Sequence, residues 1–237
     1  MNTKKRKCIM VLGMHRSGTS AMAGVLEYLG FNLGEDLMPA SKFNPKGYFE
    51  NNQIYHLNEA ILRGLGVSWN KTYYLPAAIL DRIDRKYIDQ ANEILANQFY
   101  DGEVIVLKDP RFSILSEFWK KILVSQGFDL YFVIMIREPM MVTRSLFQRD
   151  SFICEKSSLI WMDYMFKAER LTRNENRIFV NYDNLVENPK DVLINTFENL
   201  LFEFEHLRAR IESVDDFLSK DLRHHFSDGE NHDGRNA

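Results

Sequence analysis

"CIMVLGMHRSGTSAMAGVLEYLG", residues 8–30, joins an unbroken apolar run to a glycine-bounded polar loop and then to a stretch of helical periodicity. Continuous rather than alternating hydrophobicity marks a strand covered on both faces, as in a parallel sheet. Gly13 and Gly18 have the spacing of loops that close backbone N–H groups around an oxyanion at the positive end of a helix. The loop therefore predicts an anion cradle built from the amides of residues 16–20, with Arg16 as its charge and His15 as a shaping residue. Ser20 stands where a nucleoside triphosphate loop has its magnesium-binding hydroxyl, but Thr19 stands where that loop has its lysine. Because that lysine reaches the β- and γ-phosphates, Thr19 argues against ATP or GTP hydrolysis.

Outward from this stretch the same alternation repeats. "EVIVLK" at 103–108, "LYFVIMIR" at 130–137 and "RIFVNY" at 177–182 read as further strands. Helical pattern fills 18–30, 81–99, 114–126, 140–149, 157–173 and 189–202. The expected fold is α/β: a three-layer, P-loop-like arrangement with a central, mostly parallel sheet flanked by helices. A chain of 237 residues, 45% of them hydrophobic, can bury one full core, so residues 1–237 are expected to form a single domain. Within it, 32–78 mixes Gly, Pro and aromatics with weaker periodicity, as a lid or acceptor-binding segment would. The polar tail 223–237 is expected to be loose.

Composition narrows the function classes. A formal charge of −3 gives no general attraction for nucleic acid or anionic membrane, so any important basic groups are local. The longest apolar runs, such as "YFVIMI" at 131–136, are too short to span a bilayer, and "KKRK" at 4–7 reads as a solvated run ahead of the first strand. Cys8 and Cys154 lie far apart, so neither a disulfide framework nor a zinc cluster is indicated, and the chain is expected in the cytoplasm.

A second anion site is predicted by "MIREPMMVTRS", residues 135–145. Pro139 suits the first turn of a helix, which puts Arg137 at the carboxyl edge of the sheet and Ser145 on the departing helix. The planar guanidinium fork suits phosphate.

The two segments together resemble the sulfotransferases that use 3′-phosphoadenosine 5′-phosphosulfate (PAPS), especially the bacterial branch and the Golgi enzymes with an "R-S-G-T" loop. In that family the first loop cradles the 5′-phosphosulfate, and an Arg and a Ser eight residues apart hold the 3′-phosphate. Here these are "HRSGTS" at 15–20, and Arg137 with Ser145. "LKDPRF" at 107–112 is similar to a lysine-containing stretch of tyrosylprotein sulfotransferases, and "VNYDNLVENPKDVL" at 180–193 to a late strand followed by Y-x-x-L-x-x-x-P. The cytosolic eukaryotic enzymes differ, with a lysine where this chain has Arg16 and an "R-K-G" segment that has no counterpart here.

The resemblance implies PAPS as co-substrate, 3′-phosphoadenosine 5′-phosphate as product, and no required metal. It implies that Arg16, Ser17, Gly18, Thr19 and Ser20 hold the phosphosulfate, with Arg137 and Ser145 on the 3′-phosphate. Lys108 would reach the bridging or a sulfuryl oxygen. Glu50, in "NPKGYFEN" at 44–51, is the first candidate for the base, and His56 the second. A phosphosulfate has no γ-phosphate, which agrees with Thr19 in place of lysine. The acceptor is expected to be a hydroxyl, or an amine, of a glycan or other small molecule, with Trp69, Tyr73 and Tyr74 as stacking groups or core. The alternatives are a nucleotide or small-molecule kinase, which should carry the loop lysine, and a non-catalytic nucleotide-binding module.

Overall fold

The computed structural model describes residues 5–74 and 82–218. Its four strands are β1 (Lys7–Leu12), β2 (Val104–Lys108), β3 (Asp129–Ile136) and β4 (Asn176–Asn181), one in each expected run. They form one sheet, every neighbouring pair parallel, in the order β2-β1-β3-β4. Residues Cys8 to Leu12 are wholly buried because both faces of the sheet are covered. Cys8, Met10 and Leu12 of β1 join Leu130, Phe132 and Ile134 of β3 in one core. Ile9 and Val11 join Tyr131, Val133 and Met135 in the other. That double coverage is what the continuous apolar runs record.

The first face is covered by α2 (Asn52–Gly64), α3 (Arg85–Gln98), α4 (Phe112–Ser125), α5 (Pro139–Asp150) and α6 (Cys154–Thr172). The second carries α1 (Thr19–Tyr28), α7 (Tyr182–Glu187), α8 (Pro189–Asn199), α9 (Arg208–Glu212) and α10 (Val214–Leu218). Among the described residues no helix is long and apolar enough to cross a membrane.

The chain leaves β1 toward β2 on one side, and leaves β3 toward β4 on the other. The carboxyl ends of neighbouring β1 and β3 therefore open a crevice where the strand order reverses, the usual ligand position in an open α/β sheet. Both segments singled out in the sequence, 13–20 and 137–145, begin there.

Three departures from expectation concern elements. The stretch 32–78 is not irregular throughout: it contains α2, which starts where the Asn51 side chain accepts the N–H groups of Gln53 and Ile54. Its apolar face, Ile54, Leu57, Ile61 and Leu62, is part of the first core. The helix expected over 81–99 starts at Arg85, where Asp84 caps it through the Lys86 N–H. The segment 205–218, given no structure in advance, makes a short 3-10 turn followed by α9 and α10. The loose-tail reading of 223–237 falls outside the described residues.

Candidate active site

The glycine loop is held from both sides. At Gly13 the backbone has φ +137°, and a Cβ there would come within 2.8 Å of the Met135 carbonyl oxygen on β3. At Gly18 φ is +89°, and a Cβ would be 2.2 Å from Cδ2 of Tyr182. Each glycine thus meets a conformational and a steric requirement at once. Between them Arg16 is also left-handed, at φ 71°, a state that costs a residue with a side chain about 1 kcal/mol or more. The Ser17 N–H closes the turn onto Met14 O at 3.1 Å. Helix α1 begins at Thr19 with no side-chain cap, and its first intrahelical bond runs from Met22 N to Gly18 O. The N–H groups of Thr19, Ser20 and Ala21 precede that bond, leaving the donors and partial positive charge that attract an anion.

The second arm is fixed by a cap. The Glu138 carboxylate accepts the N–H groups of Met140 (3.0 Å) and Met141 (2.8 Å), and Pro139 opens α5. Arg137, between β3 and that cap, donates from Nη1 to the Arg16 carbonyl at 3.2 Å, and its guanidinium lies 4.6 Å from the Tyr182 ring centre. Arg16 in turn donates to Ser145 Oγ at 2.7 Å and to Phe43 O at 2.9 Å. The two predicted anion sites are therefore joined through Arg16 and face one cavity of about 640 Å³. Ser17 Oγ and Arg137 Nε are buried with no hydrogen-bond partner among the described residues.

A third group comes from β2 and the segment before α2. Lys108 ends β2 in register with Val11, which brings its side chain to the loop. Its ammonium donates to Glu50 Oε1 at 2.6 Å, to Tyr48 O at 2.8 Å and to Ser20 Oγ at 3.1 Å, engaging all three protons. Glu50 precedes the cap of α2, and its carbonyl accepts Met38 N at 2.7 Å. Its carboxyl is buried, and burial pushes its pKa above the ordinary carboxylate range against the opposing pull of Lys108. Oε2 is 3.9 Å from Arg111 Nη1, beyond hydrogen-bond reach.

Beneath these groups lies a buried polar network. Asp109 accepts from Arg111 N and Nη1, both at 2.9 Å, and from Asn58 Nδ2 at 2.9 Å. Asn58 accepts the Trp119 indole N–H at 2.7 Å, and Arg111 also donates to Glu59. Fully partnered networks of this kind hold their members in one arrangement.

Among the described residues the cavity lining has seven lysines and arginines against two carboxylates, Glu50 and Asp150. The whole chain, by contrast, carries 30 basic and 33 acidic residues. His15 registers this local imbalance: burial lowers its pKa well below the ordinary histidine value, and Arg111, Arg149, Lys108 and Arg16 push the same way. Burial also lowers Arg16, with Arg149 and Arg137 adding to it.

The expected site residues divide clearly. Arg16, Gly18, Thr19, Ser20, Glu50, Lys108, Arg137 and Ser145 line the cavity, and Ser17 lies buried in the loop behind it. His56 does not line it: the residue lies on the exposed face of α2, opposite Ile54, Leu57 and Ile61, against the Tyr55 ring. Trp69 lines the cavity and packs on His15, with ring centres 4.4 Å apart, whereas Tyr74 is solvent-exposed. Sequence reading missed Arg111, Arg149 and Tyr182 as lining residues. Arg111 and Tyr182 lay within stretches already quoted, "LKDPRF" and "VNYDNL". Among the described residues no group of three or more His, Cys, Asp or Glu side chains is arranged to hold a metal ion.

No family model matches the chain, and neither does any curated protein sequence. Solved structures do. The sulfotransferase domain from the curacin biosynthetic pathway is 15% identical with a TM-score of 0.49, over 87% of this chain and 77% of that one. The sulfotransferase domain of the Synechococcus PCC 7002 olefin synthase is 17% identical with a TM-score of 0.46, over 92% and 85%. Sulfotransferase STF1 from Mycobacterium tuberculosis H37Rv is 14% identical with a TM-score of 0.42, over 88% and 71%.

Proposed function

We propose that the chain is a sulfotransferase that moves a sulfuryl group from PAPS to a hydroxyl, or an amine, of a glycan or small-molecule acceptor. The observation that carries this reading is the single cavity into which the Gly13–Ser20 loop and the Arg137–Ser145 arm both open, joined through Arg16, with Lys108 and Glu50 in its wall.

The residues fit such a donor. Arg137 Nε is a buried donor in want of an acceptor, Gly18 lets the loop pass close against the Tyr182 ring, and the lining is strongly cationic. Bound there, the donor supplies the transferable sulfuryl group and leaves as 3′-phosphoadenosine 5′-phosphate. The amides after Ser17, with Arg16, Thr19 and Ser20, hold and orient the phosphosulfate; Arg137 and Ser145 hold the 3′-phosphate. Lys108 places a positive charge where the bridging oxygen gains negative charge. Glu50 accepts the proton of the attacking hydroxyl, so an acceptor O–H becomes an O–S bond as the bridging O–S bond breaks. Lys108 already holds Oε1, which leaves Oε2 to take that proton. Tyr55 and Trp69 give the lining flat apolar surface for a sugar or ring. Two free cysteines, one buried and one exposed, agree with a reducing cytoplasm.

The test is a thermal-shift series with 3′-phosphoadenosine 5′-phosphate, AMP and ATP with magnesium, followed by transfer of labelled sulfate over an acceptor panel. The bisphosphate should stabilise most. A larger shift with ATP and magnesium would instead favour a kinase. Glu50→Gln should keep bisphosphate binding and lose about 100-fold or more in turnover. Full turnover in that variant would remove Glu50 from the mechanism.

A further inference from the structure

Outside the cavity, the feature with the clearest chemistry is the outer face of α6. Cys154 is exposed to one side at the helix start; the other exposed residues are Glu155, Leu159, Met162, Phe166 and Arg170, with Arg173 just past the helix end. At the helical repeat the latter six fall within an arc of roughly 80°. Phe166 is 69% exposed, Leu159 55% and Met162 42%, and Ile153, just before the helix, is 62% exposed. An aligned group of large apolar side chains in water marks an interaction surface.

The charges at its two ends differ in sign. Glu155 is at the amino-terminal end and Arg170 near the carboxyl-terminal end. Among the described residues neither has an ion-pair partner, whereas their charged neighbours do: Asp163 is bound by Lys167, and Glu169 by Arg173 and Arg177. Glu155 and Arg170 are equally far from the midpoint between Met162 and Asp163, and so are Leu159 and Phe166. A second α6 laid antiparallel across that midpoint would set Glu155 against Arg170 at both ends and Leu159 against Phe166 on both sides. The pattern is complementary to itself under a twofold rotation, the requirement for an isologous contact.

We propose that this chain forms a twofold dimer in which the α6 helices of two copies pack antiparallel, with Leu159, Met162 and Phe166 buried between them and Glu155 paired with Arg170 of the opposite copy. The partner is a second copy because the stripe supplies its own complement in both shape and sign. A partner of another kind would need only the apolar centre.

Sedimentation velocity of the full chain over a concentration series tests this. The wild type should dimerise reversibly, and Phe166→Glu should sediment as a monomer. Glu155→Arg alone sets like charges together at both ends and should weaken the dimer roughly tenfold or more. The double variant Glu155→Arg/Arg170→Glu should return most of that loss. A monomeric wild type at every concentration overturns the proposal. So does a dimer that ignores Phe166→Glu, or a charge-swap pair that rescues nothing. None of these readouts depends on sulfuryl transfer, and circular dichroism of each variant confirms that it is folded.

Discussion

The ammonium of Lys108 and the carboxyl of Glu50 form a buried ion pair at 2.6 Å in the cavity wall. Burial raises the carboxyl and Lys108 pulls it back down. The acid limb of kcat/KM should therefore lie above the ordinary carboxylate range. Lys108→Met removes the positive charge that favours the carboxylate, so the limb should move to higher pH while the maximum rate falls; a pH–rate profile of both proteins reads the two effects separately. A second titration concerns stability. His15 is held neutral, so the unfolded chain takes up a proton that the folded chain does not as pH falls below about 6.5. Its contribution is present in full above that pH and is lost below it, by at most about 1.4 kcal/mol for each pH unit. In His15→Asn, Tm should fall less than in the wild type between pH 7.5 and 5.5. At this scale the sequence disclosed residue types but not partners. Glu50 and Lys108 were each legible from a resemblance, yet their contact joins segments 58 positions apart and only the fold creates it. His56 lies off the 54, 57, 61 stripe of its own helix, a placement that only the fold shows to be outside the cavity lining.

Among the elements, α5 gives the clearest case of a helix end that positions cavity-lining groups. The Glu138 cap fixes the first turn, and that turn sets the distance between Arg137 and Ser145. Glu138→Ala should cost about 1 kcal/mol of stability and weaken 3′-phosphoadenosine 5′-phosphate binding more than AMP binding, a difference measurable by calorimetry. Equal weakening of both would separate the cap from the 3′-phosphate. Strands β1, β2 and β3 were legible because two covered faces leave an unbroken apolar signature, whereas β4, an edge strand in which only Val180 is buried, was legible from its β-branched and aromatic residues. Helix α2 was not, although Asn51 and the spacing of Ile54, Leu57 and Ile61 announced it. Gly47 and Pro45 just upstream, and the glycines at 64 and 66, made the whole stretch look like loop. The short helices after 205 carry too few turns for a period to emerge.

Across the whole molecule the charge distribution opposes its total. An acidic chain with a cationic cavity should attract a multiply charged anion to that cavity. The association rate of 3′-phosphoadenosine 5′-phosphate should fall several-fold between ionic strengths of about 0.01 M and 0.15 M, as the Debye length shortens from about 30 Å to about 8 Å. Stopped-flow fluorescence can follow it, and a flat salt dependence would mean that the lining cations are already neutralised from within. The strand order has a further consequence, in time rather than in space. The loop at Gly13 leans on Met135, so the central strand and its neighbour across the reversal must zip together before either half of the grip has its shape. A nascent chain that has left the ribosome only as far as Gln126 already holds every glycine of the cradle, but nothing yet for Gly13 to rest against. Ordering of the Gly13 turn during synthesis would thus mark the moment when the third strand takes its place.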